Sequence, residues 1–173
     1  MQKAIFLDRD GVINEVLTRR VRFVNTPQDL FIIEGAPKAI KQFNDAGFKV
    51  FIVTNQGGLG LGFLSETALN RIHDVLIERL KAYGARVDDI AYCPHKPSSG
   101  CPCRKPKAGM LTDLASHHNI LLRDSYMAGD RETDIAAGKN AGVRTVLINK
   151  NDRMFDADHQ FDTLLEFSNW LIR

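Results

Sequence analysis

No stretch of this sequence approaches the ~20 consecutive apolar residues of a membrane-spanning helix, and Met1-Gln2-Lys3 leads into an apolar run without the layout of a signal peptide. A cytoplasmic location is the default expectation. Net charge is nearly absent as well, because 23 Lys and Arg offset 21 Asp and Glu to leave +2. So small a surplus argues against a general nucleic-acid or membrane surface, while leaving room for a local basic pocket. Cysteine is scarce, with three residues, all between Cys93 and Cys103. An odd number gathered in one loop does not make a disulfide framework and points to metal instead. Internal repeats and low-complexity segments are also lacking, and 173 residues suffice for one domain with a full core but not for two.

What the chain does have is one abrupt junction. Ile5-Phe6-Leu7 is apolar, and Asp8-Arg9-Asp10-Gly11 follows at once. An apolar run cut off by two carboxylates at i and i+2, then a glycine, reads as a buried strand that delivers both acids to a turn. Taken alone, the pattern fits a strand terminus with solvated acids as well. The rest of the chain decides between these readings.

Phe48 to Val53 is β-branched and aromatic and stops at Thr54-Asn55-Gln56-Gly57-Gly58, which gives a second strand ending in a polar loop. Val87 to Tyr92 reads as a third strand, Ser125 to Gly129 as a short fourth running into Asp130-Arg131-Glu132-Thr133-Asp134, and Val143 to Ile148 as a fifth. Helices alternate with them. One begins at Pro37, turns Ala39, Ile40 and Phe43 inward and ends at Gly47. A long one is capped by Ser65 and carries Leu69, Ile72, Leu76 and Leu80 on one stripe, with His73 exposed. A third begins near Ala108, with Met110, Leu111 and Leu114 inward and His117 and His118 exposed at its end. A small-residue helix, Ile135 to Ala141, stops at Gly142. Residues 149–159 read as a surface connection, and Asp162 to Ile172 as a closing helix with Trp170 in the core. Such alternation predicts an α/β fold, a doubly wound parallel sheet covered on both faces, in one domain over residues 1–173.

In an open parallel sheet the carboxyl ends of the strands share one crevice. Asp8 and Asp10, Thr54, and Asp130 and Asp134 all fall at such ends. Several carboxylates in one crevice repel one another, so a cation is implied, and hard oxygen ligands without a nearby histidine favour Mg²⁺. An ion of that kind commonly joins protein carboxylates to a substrate phosphate, whose other oxygens Lys105 and the Gln56-Gly57-Gly58 amides would hold. A carboxylate nucleophile forming an acyl-phosphate beside a second acid then makes chemical sense.

The segment from Cys93 to Pro106 is too rich in proline for helix or sheet, so something other than hydrogen-bond ladders must hold it. Cys93, His95, Cys101 and Cys103 supply three thiolates and one imidazole, the donor set of a closed tetrahedral Zn²⁺ site with no open position. A structural role for zinc follows, fixing Arg104 and Lys105 immediately downstream.

Phe6-Leu7-Asp8-Arg9-Asp10-Gly11, Val53-Thr54-Asn55-Gln56, Arg104-Lys105-Pro106 and Gly129-Asp130-Arg131-x-x-Asp134 together resemble, in order, the four motifs of the haloacid dehalogenase superfamily of phosphohydrolases. The resemblance implies a Rossmann-like core in which Asp8 is the nucleophile. Asp10 would protonate the leaving oxygen and then activate water, and Thr54 and Lys105 would steady the phosphoryl group. Asp8, the Asp10 main-chain carbonyl and Asp130 would hold Mg²⁺, with Asp134 in support behind them. The intervals between motifs leave no room for a cap, so substrate choice must come from loops.

The cysteine loop on an uncapped phosphatase resembles two groups, the heptose bisphosphate phosphatases and the histidinol-phosphate phosphatases. Tyr92-Cys93-Pro94-His95 and Gly109-Met110-Leu111 are similar to the former, and the short interval from His95 to Cys101 to the latter. The loop after Asn14 lacks the His-Gly-Tyr segment expected of the heptose enzymes and carries Arg19, Arg20 and Arg22 instead. An arginine fork suits a second phosphate, so these three join Arg104, Asn55, Gln56 and Gly57 as candidate substrate contacts. The expected partner is a small phosphate ester taken by a monomer. Readings from other classes are a polynucleotide 3′-phosphatase, which Thr54-Asn55-Gln56 also resembles, a zinc-stapled nucleic-acid module, which would need a basic face, and a phospho-acceptor signalling domain, against which Asp10 argues.

Overall fold

The computed structural model describes residues 1–150 and 154–173. Strands β1 (Ala4–Leu7), β2 (Lys49–Asn55), β3 (Asp89–Cys93), β4 (Tyr126–Gly129), β5 (Arg144–Ile148) and β6 (His159–Phe161) form one sheet in the order β3-β2-β1-β4-β5-β6. All five pairings are parallel. The helices are α1 (Ala36–Asp45), α2 (Glu66–Ala82), α3 (Gly109–His117), α4 (Glu132–Ala141) and α5 (Leu164–Leu171). No cap covers the carboxyl edge of the sheet among the described residues.

Strand β1 owes its place at the centre to being apolar on both sides. Ile5 and Leu7 join one core with Val50 and Ile52 of β2, Ile40 and Phe43 of α1, and Leu69, Ile72, Leu76 and Leu80 of α2. Ala4 and Phe6 face the other way, into a core with Phe51, Val53, Met127 and the Met110, Leu111 and Leu114 stripe of α3. Alternate residues therefore serve opposite layers, and all four residues of β1 are fully buried. Phe6 and Phe51 meet across the second layer with ring centroids 5.4 Å apart. The chain runs outward from β1 in both directions, so the point where strand order reverses lies beside it.

Local signals agree with this arrangement. Ser65 caps α2 by accepting a hydrogen bond from the Ala68 N–H, and Gly142 ends α4 in the left-handed conformation. Five expectations need correction. The sheet has a sixth strand: His159–Phe161 pairs with Val146–Ile148, so the expected surface connection ends in an edge strand. Three half-exposed residues carry too little alternation to be read as a strand, and residues 151–153 of that connection lie outside the described residues. The third strand is displaced, to Asp89–Cys93. Trp170 is 39% exposed and lies over His159 and Phe161 of the edge strand. His73 is buried at 7% exposure, because it shares the inward stripe of α2 with Leu69, Leu76 and Leu80. His118 is also partly buried, pairing with Asp89 at 2.7 Å and packing on Phe51, whereas His117 is exposed.

Candidate active site

Asp8 is the first residue beyond β1, and its N–H donates to the Ala128 carbonyl of β4 at 2.9 Å, which holds it to the sheet. Asp130 follows β4 directly, and Asp134 sits in the first turn of α4. One carboxylate oxygen from each of the three lies within 4.8 Å of the others. Gly11 makes this approach possible, since it adopts φ +86° and a Cβ there would stand 2.2 Å from the Asp130 carboxylate.

Lys105 reaches into the cluster with 3% exposure, and its three donors are all engaged. Its Nζ meets Asp8 Oδ1 at 2.7 Å, Asp134 Oδ1 at 2.6 Å and the Val53 carbonyl at 2.8 Å. Burial alone would lower its pKa, but Asp8 and Asp134 outweigh this and hold the ammonium firmly protonated. Asp134 is thereby committed, since its Oδ2 accepts the Arg131 N–H at 3.1 Å.

One ammonium does not balance three carboxylates. Burial, followed by the neighbouring Asp134 charge, pushes Asp8 well above the carboxylate range and Asp130 up to about 6. Asp130 Oδ1 is buried without a hydrogen-bond partner. An orphaned buried oxygen beside surplus negative charge suits a divalent cation, and the Asp8 and Asp130 carboxylates fit one.

Asp10 is differently held. Its Oδ1 accepts from Arg9 Nε at 3.1 Å, Arg9 Nη2 at 3.0 Å and Asn14 Nδ2 at 2.9 Å, and Oδ2 meets Gln56 Nε2 at 3.4 Å. Burial works to raise this carboxyl, but Arg9 and the Asn14 and Gln56 hydrogen bonds prevail and keep it below its ordinary value. Gln56 also donates to Thr54 Oγ1 at 2.8 Å, leaving the buried Thr54 hydroxyl proton for a ligand. Asn55 exchanges reciprocal bonds with the Lys105 backbone at 3.0 and 3.1 Å, so its amide fastens the lysine rather than reaching outward.

The thiol cluster lies further along the same edge. Cys93, His95, Cys101 and Cys103 offer atoms within 4.8 Å of one another, with Sγ and Nδ1 separations of 3.0–3.5 Å and no disulfide. Burial and the adjacent Cys93 sulfur push the Cys103 thiol up to about 12, while the Ser99 hydrogen bond brings the Cys101 thiol down to about 5. Three sulfurs and one ring nitrogen converging on one point fit a tetrahedral metal. The loop packs directly on the turn after β2: a Cβ on Gly60 would lie 2.7 Å from the Lys96 nitrogen, and one on Gly57 would lie 3.2 Å from the Arg104 guanidinium.

A cavity of about 940 Å³ opens over Asp8, Asp10, Thr54 and Lys105. Asn55, Gln56, Gly57 and Arg104 line it as expected from the sequence, and so does Arg131. Its mouth carries Phe23, Leu61 and Phe63, which are 55%, 52% and 75% exposed. Arg19, Arg20 and Arg22 are not brought to it. Arg20 forms an ion pair with Glu15 and lies over the Phe31 ring, and Arg22 lies 5.6 Å from the Phe23 ring. Sequence reasoning missed Arg9, His73, Asn14 and Arg131. The helical stripe through Leu69, Leu76 and Leu80 already included His73, and only its polarity removed it from consideration.

Comparisons with known proteins agree with the geometry. Residues 102–163 match a family model described as HAD-hydrolase-like. A Haemophilus ducreyi protein named D-glycero-beta-D-manno-heptose-1,7-bisphosphate 7-phosphatase is 37% identical over 164 residues, 91% of this chain and 88% of its own. A Campylobacter jejuni protein named for the alpha anomer is 34% identical over 97% of this chain and 95% of its own. The crystal structure of D,D-heptose 1,7-bisphosphate phosphatase from B. bronchiseptica, complexed with magnesium and phosphate, superposes with a TM-score of 0.89 at 32% identity over 98% of both chains.

Proposed function

This chain belongs to the haloacid dehalogenase-like phosphatases, and on that footing we propose that it removes the 7-phosphate of D-glycero-D-manno-heptose 1,7-bisphosphate, acting as a single-domain cytoplasmic monomer. The observation that carries the substrate is near end-to-end similarity to proteins named for that reaction. The cavity supports it, because Arg104 and Arg131 line the same space as Asp8 and offer a second phosphate two guanidinium groups. The expected contribution of Arg19, Arg20 and Arg22 passes to these two.

Lys105 fixes Asp8 Oδ1, which leaves Oδ2 to attack phosphorus. As the Oδ2–P bond forms, the P–O bond to the sugar breaks, and Asp10, ionised in the free site and protonated from solvent when the anionic ester binds beside it, gives that proton to the departing oxygen. Asp10, then ionised, takes a proton from a water that attacks the aspartyl-phosphate, and phosphate leaves with Asp8 regenerated. Three donors hold Asp10 Oδ1 and only the long Gln56 contact touches Oδ2, so Oδ2 is the oxygen that carries the proton. The Thr54 hydroxyl and the Gln56-Gly57 segment hold the phosphoryl oxygens. Asp8, Asp130 and the Asp10 main-chain carbonyl would hold Mg²⁺, which when bound neutralises the carboxylates and the phosphoryl charge. Cys93, His95, Cys101 and Cys103 would hold Zn²⁺ in a closed shell that positions Arg104 and Lys105.

The test is Mg²⁺-dependent phosphate release from the heptose bisphosphate and from histidinol phosphate side by side. A hundredfold preference in kcat/KM for the heptose, about 2.7 kcal/mol, is expected. A preference for histidinol phosphate would overturn the substrate while leaving the phosphatase chemistry in place.

A further inference from the structure

Arg9 is the bulkiest fully buried side chain described, at 1% exposure, and it sits between the two acids of the first motif. Its Nε and Nη2 both point at Asp10 Oδ1, and its remaining terminal nitrogen, Nη1, lies 3.1 Å from His73 Nε2 on α2. Guanidinium nitrogens only donate, so His73 Nε2 must accept, which makes the imidazole neutral with its proton on Nδ1. Burial, followed by the Arg9 charge, lowers the His73 pKa to about 4 and keeps it in that form. A histidine from a helix 64 residues away in sequence is thus the hydrogen-bond partner at one end of a guanidinium whose other end holds the acid.

We propose that His73 is a positioning residue for the reaction: through Arg9 it fixes Asp10 with Oδ1 bound and Oδ2 turned to the departing oxygen. The inference rests on the general-acid role given to Asp10 above. Among the described residues Arg9 bonds to no side chain other than Asp10 and His73, so without His73 one end of a buried guanidinium loses its acceptor. The fork then rotates to find another, and Asp10 turns with it. Proton delivery weakens, while Asp8, Lys105 and the phosphoryl pocket, none of which touches His73, keep their geometry.

The experiment exploits how much a leaving group needs that proton. Wild type, Asp10→Asn, His73→Leu and His73→Gln are compared on benzyl phosphate, whose alkoxide must be protonated, and 4-nitrophenyl phosphate, whose phenolate leaves unaided. In His73→Leu, kcat/KM should fall about tenfold or more further on the benzyl ester than on the nitrophenyl ester. His73→Gln, whose amide oxygen can accept from Arg9, should return the ratio to within about threefold of wild type. Equal losses on both esters in His73→Leu, or a glutamine variant no better than leucine, would overturn the inference. If Asp10→Asn itself lowers both esters alike, the general-acid role fails first and takes this inference with it. If Asp10→Asn is selective and His73→Leu is not, only the positioning role falls. Should His73→Leu not fold, the ratio for the glutamine variant against His73→Met, which fills the space without a comparable acceptor, decides the same question.

Discussion

The carboxylate cluster at Asp8 and the thiol cluster at Cys93 are both crowded sets of ligand atoms on one edge of one sheet, yet they are built from opposite materials. Asp8 and Asp130 each follow a strand that is buried on both faces and bonded to its neighbours, so those positions exist before any ion arrives. Of the thiol cluster only Cys93 belongs to a strand; His95, Cys101 and Cys103 sit in a loop with few hydrogen bonds of its own, braced by Lys107 on the Gly100 and Cys101 carbonyls. The first cluster is placed by the fold and awaits a cation for chemistry. On the proposed reading, the second would need a cation to be placed. The difference would then separate a metal that reacts from a metal that builds, without reference to either ion's identity.

Breaking the first cluster should cost activity and spare the fold. Asp8→Asn keeps an oxygen for Lys105 but cannot attack phosphorus, so kcat should drop on the order of 10⁴-fold or more with an unchanged far-UV spectrum. Substantial residual turnover would remove the covalent route. Breaking the second should do less to the rate and more to local order: Cys101→Ser should lose bound zinc and lower kcat/KM about tenfold to a hundredfold through Arg104 and Lys105, with β1 and β4 intact. Zinc content still near one per chain would show that the four residues are not its ligands. A chelator that strips Mg²⁺ should abolish turnover while zinc stays bound, and recovery with zinc alone would invert the comparison.

The comparison sharpens further at pH. His73 titrates near 4 when folded against an ordinary 6.5, so the unfolded chain takes up its proton first as pH falls. Its contribution is complete above about pH 6.5 and is lost progressively down to about pH 4, at most about 3 kcal/mol. In zinc-loaded protein, His73→Gln should flatten this part of the acid limb in urea melts. An unaltered limb would assign the acid sensitivity to the carboxylates. The smallest effect belongs outside both clusters: Arg19, Arg20 and Arg22 replaced together by alanine should leave kcat/KM within about threefold. A larger fall would return that loop to substrate binding.

Much of the strand-end chemistry was legible because it depends on patterns the chain carries locally. An apolar run, a stop and an acid mark Asp8 and Asp130, and cysteine spacing marks the loop. The sequence offers Lys105 as a candidate, but does not show that all its protons are committed, since its partners come from the turn after β1, from β2 and from α4. The arginine loop was misplaced for a similar reason. Val21 and Val24 turn inward at 6% and 5% exposure, and Arg22 between them and Arg19 and Arg20 before them stay exposed. That path is set by the apolar surface it covers, which no local pattern records. β6 escaped because a three-residue edge strand has almost no sequence of its own.

Lys105 enters every cycle with no proton to spare. On the proposed reading, a phosphate that arrives would be exchanged into the site rather than added to it, and it would have to match, not merely supplement, the bonds the lysine already makes to the protein. The gain on binding is a difference between two well-satisfied arrangements. The same near-equality operates in reverse once the ester is cut: inorganic phosphate gives up a partner that Asp8 and Asp134 stand ready to reclaim. On the proposed reading, a site built on such an even trade would turn over rather than trap, with product release eased by the partners the lysine already has.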